Sequence, residues 1–232
     1  GQIIAEADGF VSANIISSVS GTVKAIEKRE NVLGTTDLSI VVVNDGQYTL
    51  SEGVGTEVDP TTLTTQEILE KVKAAGIVGL GGAGFPTHVK LAPKDPAAIK
   101  YVIANGAECE PYITCDDQLM RNYADEIVGG LKIMLQLFPN AEGVVLIEEN
   151  KPEAIAAVQK VCANENKIHV HPVHVKYPQG GERAIMDVVA GKHIKLGMLP
   201  ADVGCVVDNV ETVISVYKAV ILGRPVNSRV VT

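Results

Sequence analysis

Apolar positions over the first sixty residues come in short β-type runs, 9–16, 19–26 and 38–43, separated by turn signals at Asp8-Gly9, Ser20-Gly21 and Asp45-Gly46. None of this stretch has helical period. Residues 1–6 read as the middle of a strand with no initiator Met, which suggests a piece excised from a longer chain. Residues 54–60 close the segment, and from Thr61 the pattern changes. Thr64-Thr65-Gln66-Glu67 has capping-box spacing and opens a helix with Ile68, Leu69 and Val72 on one side; Gly76 sits where a left-handed cap belongs. A glycine-rich loop follows, then a strand over 100–105. One long helix is predicted from Leu119, Tyr123, Ile127, Leu131 and Leu135. Residues 143–147 and 168–175 read as strands, and Pro152 can begin a helix between them. The ranges 181–190 and 211–222 read as helices, the last ending at Gly223.

Alternating strands and helices predict an α/β fold, a mostly parallel open sheet flanked by helices, preceded by a small all-β module. The domain boundaries expected are 1–60 and 61–232. A chain of 232 residues that is 46% hydrophobic can build such a core. Its net charge of -8 argues against nucleic acid or an anionic membrane surface as direct partner. No apolar run approaches the roughly 18 residues of a membrane span, so direct membrane insertion is not expected. The front shows no signal-peptide pattern, and four cysteines suit a reducing cytoplasm better than a disulfide framework.

Chemistry concentrates in four loops. In Gly79-Leu80-Gly81-Gly82-Ala83-Gly84-Phe85-Pro86 the missing Cβ atoms let a flat ring or phosphate approach the backbone, and successive amides can converge on an anion. Pro86 suits the first turn of a following helix, whose amino end also favours negative charge, and Lys90 adds a cation. The loop is neither a Rossmann G-x-G-x-x-G nor a P-loop, and on spacing alone a plain connection explains it equally well. Asn105-Gly106-Ala107-Glu108-Cys109-Glu110-Pro111 follows an apolar strand, where open α/β sheets bind ligands; a solvated acidic turn is the bland alternative. Tyr177-Pro178-Gln179-Gly180-Gly181-Glu182 follows another strand. Asp208-Asn209-Val210-Glu211-Thr212 starts a helix, with Asn209 as a structural cap or a phosphate ligand.

These motifs carry a resemblance. Residues 79–90 resemble the G-x-G-G-A-G-F-P-T loop of the NADH-binding flavoprotein subunit of respiratory complex I, and the later loops follow in that family's order. The chain is still more similar to the C subunit of the Rnf membrane electron-transport complex. That similarity runs through residues 105–117, 176–182 and 199–204 and, at the front, 6–10 and 18–23, which look like a barrel-sandwich module of lipoyl/biotinyl type. The resemblance implies FMN as resident cofactor and NAD(H) as substrate. Gly79, Gly81, Gly82, Gly84 and Lys90 would lie against FMN, with Asn105 and Glu108 near its ring. Gly181 and Glu182 would border the nicotinamide, and Asn209 and Thr212 would hold the phosphate. Phe85 would offer a face to adenine, and Glu108 and Glu182 would be the catalytic carboxylates. Leu80 stands where the complex I pattern has Arg, Leu91 where it has an aromatic residue, and Ala107 where it has Asp. Implied partners are other Rnf subunits and, indirectly, ferredoxin, with the chain peripheral to the cytoplasmic face of the membrane. Iron–sulfur clusters are expected only in a missing C-terminal part, because Cys109, Cys115, Cys162 and Cys205 form no cluster run.

The remaining candidates read as structural. His169 and His171 share a strand face, but His174 is out of phase for a third ligand, so no metal site is expected. Asp116 and Asp117 are expected to cap the long helix, and Cys109 and Cys115 to be packed thiols rather than a redox pair. The front module, with its hairpin tip placed at Asp8-Gly9, has no Lys there for a swinging prosthetic arm. Rival readings are a flavin-dependent corrinoid reductase and a docking module of the same fold without cofactor.

Overall fold

The computed structural model describes residues 1–195 and 197–228. Its front is two antiparallel ribbons. Strand β1 (Ile3–Ala5) pairs with β2 (Ile15–Ile16), and β3 (Gly21–Glu30) pairs with β4 (Thr36–Asn44). The strand expected over 9–16 is therefore mostly loop. Its side chains instead capture the backbone just before it: Ala7 N–H donates to Asn14 Oδ1 at 2.9 Å and Asp8 N–H to Ser12 Oγ at 3.1 Å. The longer ribbon starts at a glycine for a steric reason, since a Cβ on Gly21 would lie 1.9 Å from the Val43 carbonyl oxygen. Its own tip, around Asn31 to Thr35, is a second hairpin end without lysine.

Helix α1 (Thr65–Ala74) has the expected capping box, with Thr64 and Glu67 bonded reciprocally. Gly76 takes φ +67, and a Cβ there would sit 2.7 Å from the Asn14 carbonyl, so the glycine also lets the front module approach. After the glycine loop comes a single helical turn, α2 (Thr87–Lys90). The rest alternates β5 (Tyr101–Gly106), α3 (Cys115–Asn122), α4 (Ala124–Leu135), β6 (Glu142–Glu148), α5 (Pro152–Cys162), β7 (Ile168–Val173), α6 (Glu182–Ala190), β8 (Cys205–Asn209) and α7 (Val210–Leu222). Residues 55–58 fasten the front to the end of α7, through Gly55 N–H to Leu222 O and Val58 N–H to Ile221 O.

Two expectations need correction. The single long helix is two, α3 and α4, because Tyr123 leaves helical geometry at φ −129, ψ 32. Strict spacing of four overshoots a 3.6-residue turn by about 40° each step, so the apolar stripe winds around the axis. Ile127 and Leu131 are fully buried while Tyr123 at the break is exposed. Strand β8 was not expected. Cys205-Val206-Val207 is short and buried on both faces, so it lacks the alternation that marks a strand.

Strand order is β7-β6-β5-β8, all parallel. The larger core lies between the sheet and α1, α3, α4, α5 and α7, while α6 covers the other face through Ile185 and Met186 against Ile103, Leu146 and Val207. The chain walks from β5 to β6 to β7, then returns to place β8 on the opposite side of β5. Connections therefore diverge between β5 and β8, which opens a crevice at their carboxyl ends.

Candidate functional site

Every loop singled out from the sequence arrives at that crevice. The glycine loop is pinched at its base, where Gly79 N–H donates to Phe85 O at 2.8 Å and Thr87 N–H to Ile77 O at 3.0 Å. Its flank is anchored to α7: Leu80 N–H donates to Thr212 Oγ1 at 3.0 Å, and the Asn209 amide lies 3.6 Å from where a Gly81 Cβ would be. Gly81 and Gly84 have φ of +74 and +66, which favours glycine there. Gly82 differs, since its φ is unexceptional and a Cβ would meet nothing within 4 Å. The protein itself does not require glycine at 82.

Asn209 joins two helix ends. Its Oδ1 caps α7 by accepting from Glu211 N–H at 2.9 Å, and its Nδ2 donates to Asp116 Oδ2, in the first turn of α3, at 2.6 Å. Asn105 locks the next two loops together: Nδ2 donates to Gly180 O at 3.0 Å, and Oδ1 accepts from Ala107 N–H at 3.1 Å. Gly180 is required at this contact, because a Cβ would stand 2.6 Å from Ala107 O. Gly181 is the N-cap of α6 and Glu182 its first residue, exposed at the rim. Phe85 is 41% exposed at the loop base, so its ring is available to a ligand.

The Glu108 side chain is buried against α3. Its Oε1 accepts from Asp116 N–H at 2.9 Å and from the Cys115 thiol at 3.4 Å, its Oε2 accepts from Asp117 N–H at 3.2 Å, and Lys151 Nζ stands 3.7 Å away. The cap of α3 is thus Glu108, and the expectation for Asp116 and Asp117 needs correcting. Both aspartates lie in the first turn, and Asp117 pairs with Arg121 four residues on. Glu108, Cys115 and Asp116 cluster closely, and the Glu108 carboxylate already accepts from two amide N–H groups with the Lys151 ammonium beside it, so its charge is met within the protein. Close packing built this corner: a Cβ on Gly106 would fall 2.4 Å from Met120 Sδ.

Lys90 lies beneath the glycine loop. Its Nζ is 3.8 Å from where a Gly79 Cβ would be, donates to Val207 O at 2.7 Å, and pairs with Asp208 Oδ1 at 3.0 Å. Asp208 is fully buried, its Oδ2 has no hydrogen-bond partner, and burial pushes its carboxyl up. Lys90 partly offsets this, while Glu182 pushes the same way. Sequence reasoning cited Asp208 only as the start of a motif; an acid directly after an apolar run was the available signal. Two further buried polar atoms lie near these loops without partners, Oε1 of Gln179, inside the third motif, and Oε1 of Glu148, which no motif includes. Leu91, by contrast, is only 2% exposed and belongs to the core, so its departure from the complex I pattern concerns packing. The turn after Pro86 has only four residues, which corrects the expectation of an anion-favouring helix end there. Such an end exists at α7, whose thirteen residues begin at the crevice.

Away from the crevice, the histidines show no ligand-like convergence among the described residues. His169 is exposed and His174 pairs with Glu149 at 2.8 Å. All four cysteines are free, with Cys162 and Cys205 buried. No described helix is long and apolar enough to cross a membrane.

A glycine cradle with open space over one residue, a long helix amino end and a lysine below it fit a flat ring that carries a phosphate. An α/β sheet with this crevice at its switch point defines a nucleotide- or flavin-binding domain. Comparison with known proteins sharpens that class. Residues 72–218, more than half of the chain, match the Nuo51 FMN-binding domain, and residues 1–47 match the RnfC barrel sandwich hybrid domain. The chain belongs to the Nuo51 FMN-binding domain family. It is 40% identical over 232 residues to the C subunit of the Na(+)-translocating ferredoxin:NAD(+) oxidoreductase complex of Acetobacterium woodii, covering 100% of this chain and 52% of that protein. The proton-translocating counterpart of Clostridium ljungdahlii is 42% identical, again over 100% of this chain and 50% of the relative. The chain thus spans about half the length of these curated relatives. Among solved structures, an NAD+-reducing [NiFe]-hydrogenase shares the fold, with a TM-score of 0.56 at 22% identity over 75% of this chain and 36% of that one.

Proposed function

We propose that this chain is the FMN-handling part of the C subunit of an Rnf-type complex, moving electrons between NAD(H) and iron–sulfur carriers that lead to or from ferredoxin. The observation that carries the reading is Gly82, a glycine that neither backbone strain nor protein packing demands, facing open space in a loop anchored over the β5/β8 crevice. Such a position is explained by something that is not protein. The similarity to Rnf C subunits along the whole chain supplies the rest.

In this reading Gly79, Gly81, Gly82 and Gly84 give the ring its close backbone surface, and Asn105 fixes the loop that borders it. Asn209 and Thr212 orient the first turn of α7 toward the phosphate, and Lys90 supplies positive charge below. Gly181 opens α6, so Glu182 and the Phe85 ring stand where a nicotinamide nucleotide would enter. Glu108 holds α3 in place beside them. A bound flavin accepts a hydride as two electrons and passes them on singly, chemistry no side chain here provides. Partner subunits, a membrane-peripheral position and a boundary between two domains near residue 60 belong to the same proposal.

A titration of the purified chain with FMN, followed by absorbance, tests it. Tight one-to-one binding and bleaching of the bound flavin by NADH are expected. Recovery of FAD rather than FMN on extraction, or no binding at all, would overturn the assignment. With no cluster-binding cysteine run in the sequence, direct reduction of ferredoxin by the chain is expected to be slow.

A further inference from the structure

Asp208, fully buried, and Lys90, partly exposed, form an ion pair that the proposed function, as stated, does not need. The lysine alone suffices to attract a phosphate or to polarise a ring. Yet it contacts the end of β8 twice, at the Val207 carbonyl and at Asp208 Oδ1, and the carboxylate is fully buried with its second oxygen lacking a partner. Burying a carboxylate in that condition is costly, and replacing such pairs by apolar groups is often neutral or stabilising. Stability is therefore a poor explanation for the pair. Its position is the better one, since the ammonium lies under the glycine loop at Gly79 and the carboxylate directly precedes Asn209.

We infer that Asp208 is a positioning residue that sets the reduction potential of the flavin site by compensating the charge of Lys90. The inference rests on the FMN reading above. Reduction makes the flavin more electron-rich, so an uncompensated cation beneath it binds the reduced form better than the oxidised form. Differential affinity of that kind is a shift in potential. The Lys90 ammonium 3.0 Å away opposes the burial that raises the Asp208 carboxyl and keeps it ionised, so the pair is close to neutral and the potential stays low enough for exchange with a nicotinamide couple. Glu182, exposed at the rim, adds negative charge in the same sense.

Potentiometric titration of the FMN-loaded chain, with separate affinity measurements for oxidised and reduced FMN, tests this. Asp208→Asn keeps the shape of the side chain and removes its charge. It should tighten reduced over oxidised FMN by roughly tenfold, which for a two-electron couple is about 30 mV toward the positive. The double variant Asp208→Asn, Lys90→Gln restores neutrality and should return the potential toward that of the parent. If Asp208→Asn unfolds, the lone Lys90→Gln variant serves instead, and its potential should move negative. An unchanged potential in either single variant, or a double variant that fails to reverse the shift, overturns the inference. Failure of the parent chain to bind FMN overturns the functional reading and this one with it, so the two failures are told apart by the first titration.

Discussion

Leu80 and Thr212 are 132 positions apart in sequence, yet the Leu80 amide donates to the Thr212 hydroxyl oxygen at 3.0 Å, and this bond ties the glycine loop to the first turn of α7. Thr212 is completely buried and Leu80 half-buried. Thr212→Val keeps the shape and removes the oxygen. It should weaken FMN binding about tenfold and lower stability by about 1 kcal/mol, the usual scale for one buried hydrogen bond. Thr212→Ser should recover most of both. Equal FMN affinity in the valine variant, read by fluorescence titration, would mean that the anchor does not shape the site.

Gly82→Val separates ligand from fold. A Cβ at 82 has open space and an ordinary backbone, so the melting temperature should stay within a degree or two of the parent while FMN affinity drops at least a hundredfold. Gly106→Ala is the contrasting control. A Cβ there collides with Met120 Sδ and lies 2.9 Å from the Leu146 carbonyl, so it should cost about 1–3 kcal/mol in thermal or urea unfolding. A Gly82→Val protein that binds FMN as the parent does would place the flavin elsewhere.

Much of this architecture was legible in the sequence. The capping box at Thr64, the left-handed cap at Gly76 and Pro152 at a helix start are local signals, and each fell where expected. What escaped was decided by distant packing. Strand β8 is buried on both faces and carries no periodicity, although it creates the crevice by lying beside β5. The α3–α4 break depends on how a winding apolar stripe meets its neighbours, which spacing alone does not reveal. At the site, the loops and their glycines could be read directly. Their partners could not, because the Asn209–Asp116 and Lys90–Asp208 pairs span 93 and 118 positions.

Glu148 offers a test of pH dependence. It closes β6 at 1% exposure with Oε1 unpartnered, and burial, aided by the nearby Glu108 charge, raises its carboxyl while Lys151 opposes the shift. A carboxyl raised in the folded state keeps its proton at pH values where the unfolded chain has lost it. Stability therefore falls as pH rises from the ordinary carboxylate range through the folded value. Glu148→Gln abolishes that loss. It should stabilise the protein by about 1 kcal/mol at pH 7.5 and change little at pH 4, as measured by urea unfolding at both values. Equal effects at the two pH values would show that the carboxyl does not titrate in this window.

Glu108 separates a capping role from a role in the chemistry. Its two oxygens accept the first amides of α3, so Glu108→Gln must turn an amide NH2 toward one of those N–H groups. A loss of about 1–2 kcal/mol in stability is expected, on the scale of a charged hydrogen bond at a helix start. The same change should be visible at Cys115. Burial, Asp116 and Glu108 all raise that thiol, with burial the largest cause, so removing the Glu108 charge lowers it part of the way. Cys115 should then react severalfold faster with iodoacetamide at pH 8, because the thiolate is the nucleophile. Loss of NADH-driven bleaching in this variant would not by itself make Glu108 catalytic, since α3 would also have shifted. Glu108→Asp supplies the control: it retains the charge but shortens the reach to the amides. If stability and Cys115 reactivity stay at parent values in Glu108→Gln while bleaching is lost, the carboxylate acts on the substrate, and its place here as a cap is secondary.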